Sequence, residues 1–219
     1  MTKSALDLKI STPNTPRSLN NVVPKEIKNF IEVFSRLPSL GPRQATRLAF
    51  FLSSLDKASL RELESSLGAL QNLDRCSECF FFKHTHEEKC EICSDPNRTS
   101  LCIAILEKET DLLALEAAGV FRGKYFILGK LAEKGVLETE QKLRLQRLKQ
   151  TLSKKPEPLQ ELIIALNPTS IGDFTADLIT KEFEGIVQKI TRLSRGIPTG
   201  GEIEFADNAT LLSSFEHRD

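Results

Sequence analysis

The sequence predicts a multi-domain chain, helical in its first part and α/β in its second, with a four-cysteine metal module between them. Three observations carry this. Apolar residues recur at helical spacing between residues 24 and 73. Two C-x-x-C pairs follow, Cys76/Cys79 and Cys90/Cys93, with ten residues between them. From about residue 100, apolar runs of strand length alternate with helical segments, the pattern of a mostly parallel sheet with right-handed crossovers.

The chain has 219 residues, with 40% hydrophobic and 27% charged. That composition supports packed cores, and no apolar run approaches the roughly 18 residues of a membrane span. Thirty Lys and Arg balance thirty Asp and Glu. Nucleic-acid binding would therefore have to come from a local patch. Residues 1–23 are rich in Ser, Thr, Asn and Pro and have little to bury, so they read as a disordered tail. They lack the apolar stretch of a secretory signal; a transit peptide is the weaker second reading.

Residues 24–74 read as a helical domain. Pro24 suits a first helical position. Ile27, Phe30, Ile31 and Phe34 then form one stripe. Pro38 and Gly41-Pro42 break the chain before a second helix with Ala45, Leu48, Ala49, Leu52 and Leu55. A third starts at Ser59-Leu60-Arg61-Glu62, a capping-box pattern. The turn Leu37-Pro38-Ser39-Leu40-Gly41-Pro42 opens directly onto a helix, whose free N–H groups favour phosphate. Arg43 and Arg47 are four apart and share one helix face. Residues 24–55 hold five basic and two acidic side chains. This looks like a helix-hairpin-helix that grips nucleic-acid backbone through Gly41, Arg43 and Arg47. An ordinary helical hairpin with two solvated arginines has the same pattern.

Residues 75–98 read as a four-cysteine zinc finger. Each C-x-x-C turn presents two thiolates to one ion, and two turns supply a tetrahedral set with no open position. One structural Zn2+ per chain is expected, building shape and doing no chemistry. A disulfide pair or an iron–sulfur cluster are the competing readings. His84 and His86 lie in the intervening loop and read as exposed. Cys102, in the run Leu101–Leu106, reads as a core cysteine of a strand. Metal-held thiols need no oxidising compartment, so a cytoplasmic location is the simplest account.

Residues 99–194 read as the α/β domain. Strands are expected at Leu101–Leu106, Tyr125–Leu128, Leu162–Leu166 and Val187–Leu193, with helices over Asp111–Ala118 (closed by Gly119), around Leu145, Leu148 and Leu152, and through Ala176, Ile179 and Phe183. Glu107 follows the first strand, where open α/β sheets bind ligands. Asp111 sits in the next helical turn and reads as a partner for free N–H groups there. Asp173 is the one acid after the third strand. Three carboxylates are thin for a two-metal site. Residues 195–219 begin with Arg195-Gly196-Ile197-Pro198-Thr199-Gly200-Gly201-Glu202, a structural turn or a subunit contact.

Taken in order, these pieces resemble the bacterial RecR family of recombination mediators. The resemblance is carried by Leu37-Pro38…Gly41-Pro42…Ala45…Arg47-Leu48-Ala49-Phe50, by Cys76-x-x-Cys79…Cys90-x-x-Cys93-Ser94-Asp95-Pro96-x-Arg98, by Gly123–Leu128, by Asn167-Pro168-Thr169, and by Arg195-Gly196-Ile197-Pro198-x-Gly200-Gly201-Glu202. It covers residues 24 to 216. The resemblance implies a helix-hairpin-helix, a zinc finger, a Toprim-like α/β domain and a C-terminal oligomerisation segment over 195–219. It implies no catalysis. It implies a ring-like homo-oligomer, dimer or tetramer, that binds single-stranded, double-stranded or gapped DNA. RecO, and RecF in many bacteria, would be its partners in loading RecA during recombinational DNA repair. By position, Glu107 and Asp111 match Toprim acids, and Arg43 and Arg47 lie where the family's hairpin meets DNA. A Mg2+-dependent Toprim enzyme, a nuclease or primase-like transferase, is the alternative. The chain departs from the family at three places. Ser39 replaces the first glycine of the hairpin's Gly-x-Gly. Ile171 and Asp173 stand where the family has two glutamates, and the loop after the second strand is shortened to Gly129–Gly135.

Overall fold

A computed structural model describes residues 22–131, 136–216 and 218. The tail expected over residues 1–23 therefore lies outside the described residues, apart from its last two. The chain divides into two compact units, one up to Gln71 and one from Asn72 onward.

The first unit is helical. Helix α1 spans Lys25–Phe34, α2 spans Pro42–Ser53 and α3 spans Lys57–Ala69. Pro24 is the cap of α1, one position earlier than expected, and its carbonyl accepts the N–H of Lys28 at 3.2 Å. The capping box expected at Ser59 is not the start of α3. Asp56 caps that helix instead, accepting the N–H groups of Ala58 and Ser59 at 2.8 and 3.0 Å. The Ser59 hydroxyl donates to the same carboxylate, because an ionised acid outcompetes a neutral acceptor. Ala45 and Ala49 are the buried residues of α2, while Phe50, Phe51, Leu60, Leu63 and Leu67 remain largely exposed. Ser39 has φ 63°, a left-handed conformation that disfavours side chains, which accounts for a glycine being usual there.

The second unit begins with a two-stranded antiparallel hairpin, β1 (Leu73–Arg75) and β2 (Phe82–His84), that sequence reasoning missed. The one-turn helix α4 (Glu91–Ser94) follows. Four parallel strands then form one sheet in the order β4-β3-β5-β6: β3 Cys102–Leu106, β4 Lys124–Ile127, β5 Glu161–Ala165 and β6 Lys189–Arg192. The helices between them are α5 (Glu109–Ala118), α6 (Thr139–Ser153) and α7 (Ser170–Phe183). Gly119, at φ 65°, closes α5 as expected.

Alternation along the strands sorts the core into two layers. Ile103, Ile105, Phe126, Leu162 and Ile164 face Leu145, Leu148, Leu152, Ala176, Ile179 and Phe183 of α6 and α7. Ala104, Leu106, Tyr125 and Ile127 face Leu112 of α5. Helices thus cover both faces of the sheet, which explains strands that read as continuous apolar runs. Cys102, at the start of β3, is half-buried rather than enclosed, and burial pushes its thiol above the ordinary value. A last helix, α8 (Asn208–Glu216), follows the turn closed by the Gly201 N–H on the Pro198 carbonyl. No described helix is long and apolar enough to cross a membrane.

Candidate metal centre, acidic cleft and nucleic-acid interface

The two C-x-x-C turns fold onto each other. Cys76 and Cys79 flank a knuckle in which the Phe80 N–H donates to the Cys76 carbonyl at 3.0 Å and the Cys76 N–H to Phe81 at 2.7 Å. Cys90 caps α4 and Cys93 lies within it. All four side chains are buried, and their sulfurs lie within 4.8 Å of one another. The Cys79 and Cys90 sulfurs are 3.4 Å apart. Tetrahedral zinc with bonds near ~2.3 Å places its sulfurs about 3.8 Å apart, so this donor set fits the ion. His84 and His86 are exposed and outside the set.

The module is clamped to the sheet. The Ile127 N–H of edge strand β4 donates to the Cys79 carbonyl at 2.8 Å, and the Lys124 ammonium to the Cys93 carbonyl at 3.1 Å. Arg98, nearly enclosed, bonds Glu116 and the Gly123 carbonyl, while the Tyr125 hydroxyl donates to Glu116 at 2.6 Å. Burial and then the Glu116 carboxylate push the Tyr125 hydroxyl up to about 12. Burial opposes the charge on Glu116, yet its bonds from Tyr125 and Arg98 hold the carboxyl below the usual range. Phe80, at φ 62°, packs edge-on against Phe126 with Arg144 above its ring. Sequence reasoning missed Glu116, Tyr125 and Arg144. Glu116 and Arg144 lie in no motif, and Tyr125 stood out only as part of the strand run Gly123–Leu128; only the fold brings the three to the module.

The three acids sit at the carboxyl ends of β3 and β5, and each has its own partner. Glu107 accepts the side-chain amide of Asn167 at 2.7 Å and the Leu131 N–H at 3.4 Å. Asp111 turns back onto the Lys108 N–H at 3.2 Å, the capping role read from sequence. Burial pushes its carboxyl up, opposed by that bond and the nearby Lys108, while Glu107 and Glu109 add to the push. Both oxygens of Asp173 accept from Arg195 at 2.5–2.6 Å. Asp111, Asn167, Asp173 and Arg195 border one cleft of about 730 Å³, closed on one side by Asp207, Ala209 and Thr210. Gly172 is required beside it, because a Cβ there would lie 2.0 Å from the Asn167 carbonyl oxygen. Arg195 was singled out in sequence only as part of a turn. Its pairing with Asp173 spans 22 positions and left no local signal.

In the helical unit, α2 opens at Gly41-Pro42, with Gly41 as its cap. Arg43 and Arg47 are both exposed on this helix, one turn apart. Proline at the helix start leaves the remaining first-turn N–H groups directed outward. Two guanidinium groups beside them make a surface suited to successive phosphates.

Comparison with known proteins accords with these features. The helix-hairpin-helix of RecR matches residues 27–70, the Toprim domain residues 102–194, and the RecR C-terminal family residues 196–218. The chain is similar to the recombination protein RecR of Roseiflexus castenholzii, with 36% identity over 90% of this chain and 95% of that one. It is also similar to the recombination protein RecR of Chloroflexus aurantiacus, with 35% identity over 91% and 96%, and to that of Prochlorococcus marinus, with 35% identity over 89% and 96%. Identity of that extent, over nearly the whole length and across hairpin, Toprim and C-terminal segments alike, makes this chain a member of the RecR family.

Proposed function

We propose that the chain is a non-catalytic DNA-binding mediator of recombinational repair. It holds one structural zinc on Cys76, Cys79, Cys90 and Cys93. It self-associates into a ring-like oligomer and acts in the cytoplasm with RecO, and with RecF where present, to load RecA onto single-stranded or gapped DNA. The observation that carries the reading is the start of α2, where Gly41-Pro42 opens a helix with Arg43 and Arg47 exposed one turn apart. Such a surface binds phosphate without reading bases, which suits a mediator acting on any sequence.

The acidic cleft supports the absence of a chemical step. Asp173 has both oxygens engaged by Arg195, and Asp111 caps its own helix. A Mg2+-dependent Toprim enzyme needs carboxylates that converge on the ion. It would show Mg2+-dependent turnover that vanishes in Glu107→Gln.

The test of the mediator is a titration of gapped DNA at several salt concentrations, with and without Arg43→Ala plus Arg47→Ala. Binding should weaken steeply with salt, and the double variant should lose about two units of the salt slope with roughly tenfold or more in affinity. RecO-dependent RecA loading should fall in parallel. Unchanged DNA affinity in the double variant overturns the reading.

A further inference from the structure

A groove of about 860 Å³ runs between α6 and α7, sharing no residue with the acidic cleft or the cysteine module. Its floor is apolar, built from Leu137, Leu145 and Leu178, with Val136 60% exposed at its border. Beneath it the core is already closed by Leu148, Leu152, Ile179 and Phe183. The groove is therefore an outer feature of the unit, open to an occupant from outside.

The rim carries charge of one sign. Lys142, Lys149 and Lys154 stand on the α6 side and Glu182 on the α7 side. Three lysines against one glutamate leave a surplus of two positive charges, in a chain of zero net charge. Glu182 is taken by Lys149 at 2.8 Å, and Glu140 by Arg144. Lys142 and Lys154 have no ion partner among the described residues. They stand twelve positions apart along α6, which is about 18 Å at helical rise. An apolar floor of that length between two cations matches about three turns of a second helix.

We propose that this groove docks a short, acidic, amphipathic helix of another protein. An apolar stripe at i, i+3/i+4 and i+7 seats on Leu137, Leu145 and Leu178, as in helix-in-groove recognition. Asp or Glu towards each end of the helix meets Lys142 and Lys154. Charge complementarity selects this occupant over residues 1–21 of the chain itself, which carry Lys3, Lys9 and Arg17 against Asp7. It is also favoured over nucleic acid. Phosphates gain nothing from an apolar floor, and the lining offers no aromatic side chain for a base to stack on. A contact of this size, steered by charge, belongs to the weak and transient class. It recruits a protein that carries such a segment, and it depends on neither the DNA-binding nor the self-association reading above.

The experiment is fluorescence anisotropy of a labelled peptide titrated with the full, zinc-loaded chain. The peptide has about twelve residues, with Leu at helical spacing and Glu and Ala elsewhere. A scrambled peptide of the same composition and a short oligothymidylate are titrated beside it. The ordered peptide should saturate with a Kd of about 10 µM, and the scrambled one should bind at least about tenfold more weakly. Lys142→Glu plus Lys154→Glu should lose about tenfold or more, because like charges then meet in the groove. That variant should in turn bind the peptide with Lys in place of Glu, a rescue that cannot come from misfolded chains. Val136→Asn, at a surface position, should weaken the original peptide as well. No saturation by about 1 mM overturns the docking. So does equal binding of the scrambled peptide, or a lysine variant with unchanged peptide affinity. If that variant keeps the peptide but loses the oligonucleotide, α6 contacts phosphates and the docking is wrong. If the peptide lowers the chain's mass in sedimentation equilibrium, and the lysine variant sediments as the same smaller species, the groove is a contact between copies and the docking is again wrong.

Discussion

Four cysteines and three carboxylates were both candidate metal ligands, and the fold treats them in opposite ways. The cysteines, spread over residues 76–93, converge to within 4.8 Å and are all buried. The acids share one end of a sheet, yet Glu107 faces Asn167, Asp111 faces the Lys108 N–H and Asp173 faces Arg195. Thiols in a short module have no alternative strong partners and meet once two knuckles close. Carboxylates on separate strands and helices are satisfied by whichever donor lies nearest, and proximity alone does not make them a site.

The contrast breaks first at the cysteines. Cys90→Ala should release the metal and disorder residues 73–98, because the ion's binding energy is folding energy for a module this small. The expected loss is several kcal/mol, read as one zinc fewer per chain and a lower melting temperature. A folded, metal-free variant with unchanged stability would count against the centre.

A smaller effect is expected at the clamp. Arg98→Ala leaves Glu116 partly buried without its cation and should cost about 3 kcal/mol while the four sulfurs stay in place. The clamp also sets a pH dependence. Glu116 has a lowered value in the fold, so its contribution is full above the ordinary glutamate value of 4.5 and is lost as pH falls through the folded value. Tyr125 is raised to about 12 from 10, so the unfolded chain loses its proton first and stability falls as pH rises from 10 towards 12. Denaturant midpoints measured across pH should show both declines, and Tyr125→Phe should remove the alkaline one.

The smallest effect belongs to the acids. Arg195→Ala breaks a half-exposed pair and should cost only about 1 kcal/mol. It also frees Asp173. If the freed carboxylate then binds Mn2+ with Glu107, seen as relaxation enhancement, Arg195 is what keeps the acids apart. No gain in Mn2+ binding would mean that their spacing alone does so.

Particular residues show where reading the chain succeeded. The alternation after residue 100 located all four strands, because a sheet buried on both faces needs continuous apolar runs. Gly119 closed α5 as its position suggested, and Asp111 capped the same helix. The start of α3 was misread because Ser59 offered a familiar pattern while Asp56, three residues earlier, was the stronger acceptor. The β1–β2 hairpin was missed because three-residue strands are too short for a period to register.

By itself the sequence determined the order of helices, cysteine module and α/β sheet, and which four thiols come together. These depend on spacing within a few residues, where backbone geometry leaves little choice. Only the tertiary structure decided that Arg98, Glu116 and Tyr125 bind the cysteine module to the edge of the sheet. It also decided that Arg195 occupies Asp173, and that α6 and α7 leave a cationic groove between them. Each of these joins groups distant along the chain, and their meeting is set by core packing, which no local pattern records.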